Sequence, residues 1–112
     1  MFSTAPSLTL DAQNKILRYH VAGDVISTTA RGLRAELERV FESAPAGAFE
    51  EFEIDLKAAR MVDSVGLNFL VWLWRSVSDR GAKLRVLISS PDIDRTFQFT
   101  RLSSRLEVDL HS

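Results

Sequence analysis

The sequence predicts an α/β domain: an open, mainly parallel β/α sheet with an N-terminal hairpin and its helices on one side. Three observations lead there. After a first pair of alternating segments, strand-like and helix-like stretches take turns along the chain. That order is characteristic of parallel strands joined by helical crossovers, each expected to be right-handed. Second, the strand segments do not run apolar throughout, as strands covered on both faces do. Arg18, His20, Glu53, Asp55, Arg85, Glu107 and Asp109 recur at alternate positions and mark a face left to water. Third, 112 residues with 46% hydrophobic and 26% charged content suit one globular domain over residues 1–112 that buries its own core.

Each element has its own signal. "SLTL", the turn-like "DAQN" and "KILRYHVAG" form the hairpin, with Leu17, Tyr19 and Val21 on one face and Ile16, Arg18 and His20 on the other. Ala30, Leu33, Leu37, Val40 and Phe41 recur at helical spacing, which predicts a helix from about Thr28 to Ser43 capped by Ser27 or Thr28. "SAPAGA" is loop by composition. "FEIDL" is a strand with Phe52, Ile54 and Leu56 inward. A second helix runs from about Ser64 to Arg80 and stops at Gly81, whose freedom at positive φ ends helices. "KLRVLIS" turns Leu84, Val86 and Ile88 inward. A short helix opens at Ser90, with Pro91 at its first position and Asp92 at its positive end. "LEVDL" is the last strand.

Composition narrows the function. A net charge of -1 without a basic stripe gives no footing for nucleic acid. The lack of cysteine removes disulfides, thiolate metal sites and thiol catalysis, and only His20 and His111 offer imidazole. The expectation is no metal, no cofactor and no catalytic residue. "MFSTAPSLTL" has no charged leader and "FLVWLW" is too short to span a bilayer, so a soluble cytoplasmic protein without membrane insertion is expected.

The stretch "RMVDSVGLNF", Arg60 to Phe69, sets an acid and a hydroxyl at a strand-to-helix junction. Capping is one reading, since Asp and Ser are both favoured there. A nucleophile is another, but no G-x-S-x-G elbow surrounds Ser64 and His20 is its sole prospective base. A modification site is the third: a helix N-terminus tolerates an anion, and Gly66 is expected to leave the approach to Ser64 open.

From "DLKAARMVDSVGLNFLVWLW" through "GAKLRVLISSPDIDRTFQFTRL", the chain resembles a STAS domain of the bacterial anti-sigma factor antagonist kind, and "HVAGDVISTTARGL" resembles that family's earlier glycine turn. The resemblance implies a β/α fold with helices on one side and an activity that is binding. The unphosphorylated form would capture an anti-sigma factor that is a serine kinase. Phosphorylation of Ser64 would release it, and a serine phosphatase would reset the switch. Asp63, Val65, Gly66 and Leu67 would frame the acceptor. Gly23, Asp24, Ile26 and Ser27 would supply the neighbouring loop of the partner surface. Here the chain departs from its family. Ile26 stands at the usual acidic position, and Asp24 directly follows Gly23. The alternative within the family is an accessory subunit that holds the ATPase of a bacterial lipid-transport ABC system.

Plotted at 100° per residue, the second helix puts Gly66, Leu70, Leu73, Trp74 and Val77 on a core stripe flanked by Leu67 and Phe69. Trp72 falls on the polar face with Asn68, Arg75 and Asp79. There it is either covered by the Arg75 stem or an anchor for a partner.

Overall fold

A computed structural model describes residues 7–111. Strands β1 (Ser7–Asp11) and β2 (Ile16–His20) form the antiparallel hairpin. Asp11 shapes its turn by accepting from the Asn14 N–H at 3.1 Å. Strands β3 (Glu51–Leu56), β4 (Lys83–Ile88) and β5 (Glu107–Leu110) then add in parallel, giving the order β1-β2-β3-β4-β5. Helices α1 (Ala30–Ser43), α2 (Ser64–Asp79) and α3 (Pro91–Phe99) fill the crossovers.

The alternation read from sequence holds in β2, β3 and β4, while in the outer strands Leu10 of β1 and Leu110 of β5 are exposed. Tyr19, Phe52, Ile54, Leu56, Val86 and Ile88 are fully buried, and they face Leu37, Leu70, Leu73 and Val77 from the helices. The opposite face carries charges that pair across strands. Arg18 Nε lies 3.0 Å from Glu53 and His20 Nδ1 3.2 Å from Asp55, each opposite its partner in the parallel register. Arg85 Nε lies 2.9 Å from Asp109 Oδ2, but its N–H is not aimed at that oxygen, so the contact is coulombic only. Such exposed pairs add little stability, and their effect is to keep this face wet.

Three details differ from expectation. Helix α1 starts at Ala30 with Thr29 at the cap position, not Ser27 or Thr28. The Thr29 hydroxyl turns back into the loop, accepting from the Ile26 N–H at 3.0 Å and donating to the Asp24 carbonyl at 2.8 Å. A single 3₁₀ turn, Leu102–Ser104, also precedes β5, entered through Arg101 at φ 63°. It buries Leu102, a lone apolar residue with no period to announce it.

The third concerns α2, whose buried residues are Gly66, Phe69, Leu70, Leu73 and Val77. Phe69 has moved into the stripe and Trp74 out of it. The cause is α1, which packs on one flank of α2 and draws the buried stripe toward itself. Trp72 therefore lies in the α1–α2 seam, its ring 6.0 Å from both Phe41 and Phe69, with the Arg34 guanidinium 4.9 Å above it. Arg34, not Arg75, covers it. Trp74 was expected in the core. It is only half-buried, beneath Arg105 at 5.6 Å.

At the far end of α2, Gly81 adopts φ 77° as the chain leaves the helix, as expected for a residue past a helix C-terminus. Arg80 donates to the Phe41 and Ala44 carbonyls and so ties the ends of α1 and α2 together.

Candidate functional site

At the C-terminal edge of the parallel strands, two loops meet. The β2–α1 loop holds Gly23 to Ser27, and the β3–α2 loop holds Arg60 to Asp63. Val25 and Val62 form a parallel bridge between them. The Val25 N–H donates to the Met61 carbonyl at 3.1 Å, and the Asp63 N–H donates to the Val25 carbonyl at 3.3 Å. The two loops thus extend the sheet briefly beyond β2 and β3.

Two aspartates cross-brace this pair from opposite sides. Asp24 reaches from the first loop to the second, where its Oδ1 accepts from the Arg60 and Met61 N–H groups at 2.7 and 3.2 Å. Asp63 reaches the other way. Its Oδ2 accepts from the Ser27 N–H at 2.8 Å, and its Oδ1 caps α2 through the Gly66 N–H at 2.8 Å. These amide donors, Gly66 first, hold the Asp63 carboxyl below the usual carboxylate range. The carboxylate stays ionised at neutral pH, as an acceptor of several N–H bonds requires.

Gly66 has a different task from the one expected. It is buried, and a Cβ there would meet the Val25 carbonyl oxygen at 2.0 Å and Val62 Cγ1 at 3.0 Å. The glycine admits the neighbouring loop to the first turn of α2. It does not clear a path to Ser64. Leu67 closes that first turn, its N–H donating to the Asp63 carbonyl at 2.8 Å.

Ser64 follows as the first residue of α2 and is exposed. Because Asp63 does the capping, the Ser64 hydroxyl is left out of the junction. Around it stand exposed apolar side chains, Met61 at 56% and Val65 at 37% exposure, with exposed Ser27 and half-buried Ile26 on the adjoining loop. The structure therefore gathers Gly23, Asp24, Ile26, Ser27, Asp63, Ser64, Val65, Gly66 and Leu67 at one end of the molecule. Trp72 stands apart, two turns along α2 in the seam with α1. His20 lies against Asp55 on the open sheet face. Met61 went unnoticed in the sequence, although its place two residues before the Asp-Ser pair was the available signal.

Among the described residues no helix is long and apolar enough to cross a membrane, and no three His, Asp or Glu side chains cluster as metal ligands.

A model of the STAS domain family matches residues 7–112. No curated protein matches the sequence. Among solved structures, the chain is similar to an anti-sigma factor antagonist from Mycobacterium paratuberculosis, with TM-score 0.73 and 20% identity over 94% of this chain and 86% of that one. It is also similar to the anti-sigma factor antagonist SpoIIAA in its unphosphorylated form, with TM-score 0.69 and 16% identity over 96% and 90% of the two chains. The Bacillus cell fate determinant SpoIIAA in its phosphorylated form gives TM-score 0.68 and 17% identity over 96% and 93%.

Proposed function

The chain belongs to the STAS domain family, and from that premise we propose that it is an anti-sigma factor antagonist switched at Ser64. In this reading the unmodified protein binds an anti-sigma factor that is a serine kinase. The kinase phosphorylates Ser64, the complex parts, and a serine phosphatase resets the protein. The protein itself catalyses nothing.

The observation that carries the reading is the division of labour at the α2 N-terminus. Asp63 caps the helix and ties down the Ser27 loop, and Ser64 beside it is exposed among apolar neighbours. A residue placed this way is open to modification without loss of the fold. A phosphate adds about -1.5 to -2 charges. The helix end tolerates that charge, but a desolvated contact over Met61 and Val65 does not. In our reading Ile26, Ser27, Ser64 and Val65 touch the partner, while Gly23, Asp24, Asp63, Gly66 and Leu67 hold that surface in shape. Trp72 contributes through the edge that Arg34 leaves uncovered. The SpoIIAA neighbours, described with and without phosphate, support a phosphate as compatible with this fold.

The test begins with affinity capture of the wild-type protein's partner. An anti-sigma factor kinase is expected; an ATPase subunit of a transport system would favour the accessory-subunit reading instead. With the kinase and ATP, mass spectrometry should find phosphate on Ser64 and none on the Ser64→Ala variant. Ser64→Asp should weaken capture at least about tenfold with an unchanged far-UV circular dichroism spectrum. Phosphorylation of Ser64→Ala to the wild-type extent would sink the proposal.

A further inference from the structure

Behind the β2–α1 loop lies an open cleft of about 570 Å³ between the end of β2 and helix α1. That volume falls within the range of small-molecule sites, about 300–1,000 Å³. Its walls are mostly apolar, from Val21, Ala22 and Leu33, with Gly23, Gly32 and Thr29 completing the lining. Two carboxylates, Asp24 and Glu36, line it, and no basic side chain among the described residues does.

The glycines are informative because the fold does not require them. Neither has a positive φ, and a Cβ built on either meets nothing within 4 Å. Gly32 sits in the first turn of α1, where alanine would serve the helix better. What the two share is this cleft, which any side chain at either position would narrow.

The carboxylates differ in what they have left to give. Asp24 already grips the Arg60 and Met61 amides. Glu36 accepts from the hydroxyl of the fully buried Tyr19 at 3.2 Å through Oε2, which among the described residues leaves Oε1 for another donor. The phenol remains a donor because burial, reinforced by the Glu36 charge, pushes its pKa far up.

We propose that this cleft is a binding site for a small organic cation, an aromatic or aliphatic body carrying an amine or amidinium that pairs with Glu36. Anionic ligands such as nucleotides are disfavoured by its two carboxylates.

Benzamidine is the probe, with benzoate as its anionic counterpart, each titrated into the ¹⁵N-labelled protein. Benzamidine should move the Gly23, Gly32 and Leu33 amides with a Kd of about 1 mM, the range open to so small a ligand, and benzoate should leave them in place. Glu36→Gln keeps an acceptor for Tyr19 and should raise that Kd at least about tenfold, having lost a charge-assisted bond. Gly32→Leu should fill the cleft and abolish binding while the protein melts no lower than wild type. Equal response to benzoate, absence of saturating shifts, or Glu36→Gln binding as wild type would each overturn the proposal. Cleft amides that move with protein concentration alone would assign the cleft to a second copy of the chain and overturn it too.

Discussion

Two strand-to-helix junctions lie at the same edge of the sheet, and each sets a serine at the start of its helix. At β4–α3 the serine is the cap: Ser90 Oγ accepts from the Ile93 N–H at 3.3 Å, and Ser90 is half-buried. At β3–α2 an aspartate takes that position, and Ser64, one residue later, is exposed and not needed by the helix. The third helical position differs as well. In α3 it is Ile93, buried at 2% exposure, while in α2 it is Gly66, where the Val25 carbonyl leaves no room for a methyl. The same local grammar thus yields a junction sealed into the core and a junction bound to a second loop. A hydroxyl is left exposed when another side chain has relieved it of structural duty.

The largest expected effect tests the third position. Gly66→Ala should cost about 3 kcal/mol in urea melts, because backbone of the facing loop must move. Ile93→Val, which trims a filled site, should cost about 1 kcal/mol. Equal losses would erase the contrast. Next come the serines. Ser90→Ala should cost about 1 kcal/mol as a lost cap, and Ser64→Ala should stay within about 0.5 kcal/mol as a surface change. A Ser64→Ala loss as large as that of Ser90→Ala would mean that Ser64 holds the helix after all.

The smallest effect is one of pH. The Asp63 pKa is lowered in the folded protein, so its contribution is fully present above the unfolded carboxylate range of about 4 and is lost as pH falls through the lower folded value. The Ser27 and Gly66 amides should shift as Asp63 protonates in acid. The Ile93 amide is bonded to a neutral hydroxyl, so in acid it should keep its hydrogen-exchange protection where the Gly66 amide loses it. Identical acid profiles by NMR would contradict the division between a charged and a neutral cap.

Much of this junction was readable in the sequence, because its signals are local. Alternation gave the strands and the wet face, and the "DSVGL" pattern placed Asp63 and Ser64 at a helix start. What was not readable depends on contacts far apart in the chain. The role of Asp24 as a clamp involves amides 36 and 37 residues away. Gly66 was read as clearance for Ser64 because nothing in its neighbourhood announces the Val25 carbonyl. The phase of α2 was correct near Leu70 and Leu73 but misjudged at Trp72 and Trp74. A helical wheel shows which residues are apolar and not on which flank a neighbouring helix will lie. The half-buried Trp72 and Trp74 and the arginines above them record that missing information.

The strand order has a consequence for how the molecule is made. Spatial neighbours in the sheet are also consecutive in the chain, so no strand has to slip between two that are already paired. Each β/α unit can dock on the strand before it as it leaves the ribosome, so assembly can run from the N-terminus onward. Every parallel pairing must nevertheless wait for its whole crossover and is slow for that reason. The growing sheet at each stage presents one fresh unpaired edge, first β2, then β3, then β4. That edge is the point at which a stalled or truncated chain would stick to others. The order of translation is therefore also the order in which this protein protects itself from aggregation.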